Sequence, residues 1–225
     1  MRYLIVNGDD FGASHGVNRG ILEAHEHGIL TSASLFVDRP ASAEAATFAR
    51  TTQSLSVGLH ADLDGPQQGG VRDSLLRQLR RFEELLGGPP THLDSHHNVH
   101  RSPQVLPDVL AIAAERGLIV RNFSQVRCVP EFYGQWNGQT HLEQIGVAGL
   151  VHLLRTRVEE GVTEMSCHPG YVDSDLASGY TSERECELRT LCDSSVQAAI
   201  RAARIMLVSF RDVPRILTAS ATRGE

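Results

Sequence analysis

"YLIVNGDDFG", residues 3–12, runs from an unbroken apolar segment straight into two adjacent carboxylates. The run "YLIVN" (3–7) reads as a strand buried on both faces, the kind found in parallel sheets covered by helices. Its exit carries Asp9 and Asp10 rather than a GxGxxG turn, so a dinucleotide-binding fold has no support. Outward from it, "GVNRGILEAHEHG" (16–28) reads as a helix stopped by Gly28. Strands follow at 31–38 and 54–60. A helix over 74–88 places Leu75, Leu76, Leu79, Phe82, Leu85 and Leu86 on one face. Next come a strand at "THLDSH" (91–96), a helix over 103–116 and a strand at "LIVRNF" (118–123). A long helix at about 141–160, a strand at "TEMSCH" (163–168), a helical region at about 182–204 and a strand at 205–210 complete the pattern. About seven strands alternating with helices predict a parallel α/β sheet. No repeat, linker or low-complexity segment interrupts 1–225, which reads as one domain with a substantial core.

Composition narrows the function. Apolar residues make up 41% and charged residues 21%, with a net charge of −6 from 21 basic and 27 acidic side chains. There is no basic stripe for nucleic acid and no apolar run of membrane-spanning length. The apolar stretch at the N-terminus is too short for a signal peptide, so a cytoplasmic protein is expected. Cys128, Cys167, Cys186 and Cys192 form no CxxC pair and read as free thiols rather than zinc ligands.

The chemistry-bearing residues sit at strand ends. Asp9 and Asp10 follow the first strand, His60 closes the third and His168 closes "TEMSCH". Arg121 lies near the end of "LIVRNF". The stretch "THLDSHHNVH" (91–100) holds four of the eleven histidines. In a (β/α) barrel the C-terminal strand ends converge on one face, where catalysis takes place. Asp plus two His is a common ligand set for one divalent cation with open positions, and Asp10, His60 and His96 are the candidates. His100 competes through its HxxxH spacing with His96, but Asn98, Val99 and Pro103 disfavour the helix that spacing needs. The bland alternative is that these are loop or packing histidines. Consecutive residues of an extended chain face opposite ways, so Asp9 and Asp10 are expected to divide into a ligand and a general base. A Cys167 nucleophile is weaker, and no GxSxG occurs. In "PEFYGQWNG" (130–138), Phe132, Tyr133 and Trp136 read either as a sugar-stacking platform or as an apolar plug.

These stretches resemble the YdjC-like (ChbG) carbohydrate deacetylase family along the whole chain. The matching segments are "IVNGDDFGASHGVNRGILEAHEHGILTSASLFVD", "VGLHADL", "PTHLDSHHNVH", "EMSCHPGYVD", "SGYTSERECELRTLCD" and "LVSFRDV". The resemblance implies a distorted, TIM-barrel-like (β/α) barrel, a divalent metal (Mg2+ or Zn2+) and removal of an acetyl group from an N-acetylated sugar. It implies Asp10, His60 and His96 as metal ligands, Asp9 as general base and His168 as general acid. Arg121, Tyr133, Trp136 and His100 are the expected substrate contacts, the partner is a small carbohydrate, and family habit implies a homodimer. Two departures stand out. Asn98 replaces a histidine of the family's "DSHHHVH", and the segment between His60 and His96 is short. The competing readings are another metallohydrolase, such as a phosphoesterase with Arg121 and Arg101 as phosphate cations, and a non-catalytic metal- or sugar-binding protein. The presence of both Asp9 and His168 speaks against the latter.

Overall fold

The computed structural model describes residues 1–221. The main elements are β1 (Arg2–Phe11), α1 (His15–Glu26), β2 (Ser32–Leu35), α2 (Ser42–Thr51), β3 (Ser56–Ala61), α3 (Gly70–Leu86) and β4 (His92–Ser95). A 3-10 segment, His96–Arg101, leads to α4 (Leu106–Arg116), β5 (Ile119–Val120) and β6 (Arg127–Val129). A small hairpin, β7 (Gln135–Trp136) and β8 (Gln139–Thr140), precedes α5 (Leu142–Ile145), α6 (Val147–Thr156) and β9 (Gly161–Cys167). Then come α7 (Ser182–Leu191), α8 (Ser194–Ala202), β10 (Ile205–Leu207) and α9 (Val213–Ala221).

The main sheet is parallel throughout, in the order β5-β4-β3-β2-β1-β9-β6, with β10 pairing the start of β1. Its two edge strands are neighbours in sequence. Laid flat, the six strand spacings of this order would span about 29 Å. The chain from Val120 to Arg127 is seven residues (127 − 120) and reaches about 25 Å at full extension. The sheet therefore curls into a partial barrel with an unpaired seam between β5 and β6. This is the expected distorted (β/α) barrel.

Strand alternation sorts side chains between helix layer and barrel interior. Leu4, Val6, Leu59, Leu93 and Met165 join helix residues such as Ile21, Leu75, Leu79 and Phe82 in the larger apolar core. The opposite faces turn inward. Ile5, Val126, Val162, Phe210 and Val213 form a small apolar plug there, and above it the interior is polar. Gly58 on β3 is required by close approach, because a Cβ there would lie 2.4 Å from the His92 ring. That ring stacks on Phe210, with centroids 3.8 Å apart.

Several boundaries differ from the sequence-based expectation. The helix expected at 141–160 is broken at Gly146, whose backbone is extended. The region 182–204 is two helices, and Asp193 caps the second by accepting from the Ser195 backbone N–H. The strand expected over 118–123 pairs only at Ile119–Val120. Helix α2 gave no strong periodic signal because its buried face is Ser42, Ala45, Ala46 and Ala49 rather than large aliphatics. No helix among the described residues is long and apolar enough to cross a membrane.

Candidate active site

Strict alternation would send Asp10 into the helix layer beside Val6. Instead its backbone is left-handed (φ 66°), and the β1–β2 register shifts between Gly8 and Phe11. A bulge of this kind re-aims a side chain. Both aspartates therefore line one cavity of about 420 Å³, together with His60, His96, His97, Tyr133, His168, Tyr180 and Arg184. A larger hollow of about 970 Å³, beside Met1, Tyr3 and Met206, opens near the strand N-termini and is lined by no histidine or aspartate. Barrel chemistry sits at the other end.

Beneath the cavity lies a buried ion network. Arg121 donates from Nη1 and Nη2 to the two oxygens of Asp9, each at 2.7 Å. It also meets Asp94 at 2.8 Å and Glu164 at 2.7 Å. Its side chain is 5% exposed. Burial disfavours the charge, but three carboxylates hold the Arg121 pKa well above its ordinary value. Asn7 adds a 2.8 Å bond to Asp9 Oδ1. Asp9 Oδ1 thus carries two donors, while Oδ2 carries one and keeps a lone pair.

His60 is placed by Asp94, whose Oδ1 lies 2.6 Å from its Nδ1. Asp94 is itself held by Ser34 at 2.6 Å. His60 Nε2 then faces Asp10 Oδ1 at 3.4 Å, outside hydrogen-bond geometry, and that buried oxygen has no hydrogen-bond partner. The other Asp10 oxygen accepts from Arg184 Nη2 at 2.6 Å. Burial opposes ionisation of Asp10, yet the facing His60 and Arg184 hold its pKa well below the usual carboxylate range. Burial alone would depress His60, but Asp94 and Asp10 on either side raise it to about 10. The space between these carboxylates therefore favours positive charge. His96 packs near His60, with ring centroids 5.9 Å apart, and its Nδ1 is 2.5 Å from Asp64. Both histidines thus have Nδ1 fixed by a carboxylate and Nε2 left over, the usual arrangement around a metal.

Among the described residues, two triads bring their ligand atoms within 4.8 Å of one another, Asp9/His60/Asp94 and Asp64/His96/His97; Asp10, His60 and His96 are more widely spaced. In the first, both aspartates already bind Arg121. The second sits at the surface, with His97 71% exposed and both imidazoles sharing Asp64 Oδ2. Bare donor atoms favour Asp10, His60 and His96 instead.

Helix α7 and the loop before it form the opposite wall. The His168 backbone N–H donates to Glu187, and its buried Nδ1 has no hydrogen-bond partner. Burial holds the His168 pKa below its ordinary value, against the pull of Asp9 and Asp10. Tyr180 donates to Glu187 and accepts from the Gly134 N–H. Tyr133 stacks on Tyr180 with centroids 4.9 Å apart and lies 5.7 Å from the His168 ring.

Three of the expected substrate contacts lie outside the cavity lining. Arg121 is buried and bound by three carboxylates. His100 is 1% exposed, with Nδ1 on Ser95 Oγ and Nε2 on the Arg121 carbonyl. It parts from His96 because His97 and Asn98 adopt left-handed backbone conformations. Trp136 lies outside the cavity lining, 42% exposed and stacked on His141 at 3.6 Å. The aromatic loop is therefore divided: Phe132 is the plug, 1% exposed, and Tyr133 is the cavity residue.

The sequence model of the family described as YdjC-like protein matches residues 3–72 and 66–202. The chain belongs to the YdjC-like protein family. This YdjC-like chain is 36% identical over 249 residues to a carbohydrate deacetylase of Geobacillus stearothermophilus, covering 94% of this chain and 98% of that one. It is 34% identical over 254 residues to a chitooligosaccharide deacetylase of Salmonella schwarzengrund, covering 94% and 99%. A solved structure from Enterococcus faecalis, whose suggested role is cellobiose-phosphate cleavage, superposes with a TM-score of 0.81 at 26% identity, covering 94% and 98%. The aligned span of 249 residues exceeds the 225 of this chain, so the relative carries insertions. The two family matches meet at 66–72, inside the short segment between His60 and His96.

Four site residues of this YdjC-like protein were not singled out by sequence reasoning: Asp94, Asp64, Arg184 and Glu187. Asp94 had a signal, since it alternates with His92 on β4 and so shares the inward face. Arg184 and Glu187 lie on a helix that reads as amphipathic surface, and only the packing of α7 against the cavity brings them in.

Proposed function

We propose that this YdjC-like protein is a metal-dependent hydrolase that removes the acetyl group from an N-acetylated sugar or short oligosaccharide. The observation that carries it is the bare Asp10 Oδ1 facing His60 Nε2, with Asp9 beside it in the same cavity. The names of the two deacetylase relatives support the substrate class. Asp10, His60 and His96 would hold one divalent cation. Zn2+ suits the two imidazoles, and Mg2+ suits the carboxylate and the open positions for water. A cation bound there polarises the amide carbonyl and lowers the pKa of a water.

The remaining roles fall to side chains of this chain. Asp9 accepts the water's proton through the spare lone pair of Oδ2, while Arg121 and Asn7 fix its carboxylate plane. His168 gives a proton to the departing amine. Its depressed pKa makes the imidazolium a strong acid, though less of it is protonated at neutral pH. Tyr133, backed by Tyr180, offers a flat apolar face to the sugar ring. The phosphoesterase alternative is less well supported, because Arg184 and Arg121 are both spent on aspartates.

Acetate release from N-acetylglucosamine oligomers, with and without added metal, tests the activity. No release from any oligomer by metal-loaded protein would refute it. Metal analysis tests the ligands: His60→Ala is expected to lose stoichiometric metal, and full uptake would remove His60 from the set. The aromatic assignment predicts a split. Tyr133→Ala is expected to raise KM about tenfold, equivalent to about 1.4 kcal/mol of lost packing against the sugar, whereas Trp136→Ala changes KM less than about twofold. Equal effects in steady-state kinetics would contradict it.

A further inference from the structure

Two adjacent carboxylates in this cavity each have their own arginine, and the two arginines grip differently. Arg121 forks onto both oxygens of Asp9. Arg184, 174 residues away from Asp10 in sequence, reaches only one of its oxygens. It cannot fork. Its Nε donates to the Tyr180 carbonyl at 3.0 Å, and Nη1 turns to the His168 carbonyl at 3.5 Å. The guanidinium also lies 5.8 Å from the Tyr180 ring centroid. Its direction is thus set by α7 and the turn before it, not by Asp10. The side chain is 3% exposed, so its charge is poorly screened.

We propose that Arg184 is a positioning residue that confines Asp10 to one free oxygen and opposes the cation's charge. Cation binding at Asp10, His60 and His96 is then weaker and more open than those ligands alone would make it. This rests on the metal reading above. A carboxylate can bind a divalent cation with one oxygen or two. With Oδ2 held by Arg184, only Oδ1 remains, and a position that a second oxygen would fill stays available to water and substrate. The guanidinium beside the ligand also repels a dication by Coulomb's law. Arg184 thereby exchanges metal affinity for an open coordination sphere.

The test is calorimetric titration of metal-free protein with Zn2+ and with Mg2+. Arg184→Gln is expected to bind both cations about tenfold more tightly or better, and Arg184→Lys, which keeps the charge, to return within about threefold of the parent. A purely structural arginine would give the opposite sign, because loosening the site weakens binding. Unchanged or weaker affinity in a folded Arg184→Gln protein overturns the proposal. Tighter binding that Arg184→Lys fails to reverse also overturns it. If Arg184→Gln does not fold, the comparison moves to Arg184→Met, which keeps most of the buried side-chain volume and removes the charge. Removal of Arg184 must still tighten Zn2+ binding several-fold there, and equal affinities refute the charge effect. The ligand assignment fails differently: an Asp10→Asn protein with parental affinity refutes it, whatever Arg184 does.

Discussion

Asp9→Asn is expected to keep near-parental metal content and fold, and to lose about 10²–10⁴-fold in kcat, the usual contribution of a general base. Metal is retained because Asp9 is not one of the proposed ligands; its two oxygens face Arg121. Folding is retained because Arg121 keeps Asp94 and Glu164 as partners, so no buried cation is left alone. The lost charge-assisted bonds cost about 1–3 kcal/mol. Asp10→Asn is the contrast, with metal and activity lost together. Elemental analysis of both variants beside single-turnover rates separates the two roles. If Asp9→Asn loses metal while Asp10→Asn keeps it, the roles are exchanged. If neither change slows deacetylation, the chemistry lies elsewhere.

Arg121→Met is expected to give the largest loss of stability. It leaves Asp9, Asp94 and Glu164 buried with no arginine among them, and breaking such a network by removing one partner costs about 3–5 kcal/mol. For a chain of this length that lowers Tm by about 6–20 °C. The deficit shrinks as pH falls, because protonating the stranded carboxylates removes the buried charge. A substrate-binding arginine would behave in the opposite way, raising KM with little change in Tm. Calorimetry together with steady-state kinetics decides, and a stable Arg121→Met protein with a raised KM would restore the substrate role.

How much of this was legible depended on the range of the signal. Apolar runs such as "YLIVN" and the Gly-terminated helices are local, and they predicted a parallel α/β sheet whose strand ends carry the chemistry. Where a boundary depended on partners, the sequence was less informative. Ile119–Val120 pairs for two residues before the chain turns at left-handed Asn122, and α2 buries alanines that leave no large periodic mark.

At the site, residue types and strand-end positions alone identified Asp9, Asp10, His60, His96 and His168 as residues of one cavity. What each side chain touches there was decided only in three dimensions. Alternation says that Asp9 and Asp10 face apart, and a left-handed residue in a bulge overrides it. Spacing pairs His96 with His100, and two left-handed residues between them send His100 into the wall. Arg121 reads as a strand-end cation available to substrate, until curling of the sheet carries it across the interior to strands β1, β4 and β9. Arg184 bears no mark in its own segment at all, because its partner is 174 residues distant. Sequence fixes which groups exist and which strand end presents them, since those follow from local periodicity. Which oxygen is free, which is clamped and which histidine nitrogen is spare depends on contacts between strands far apart in the chain, and those arise only when the sheet closes.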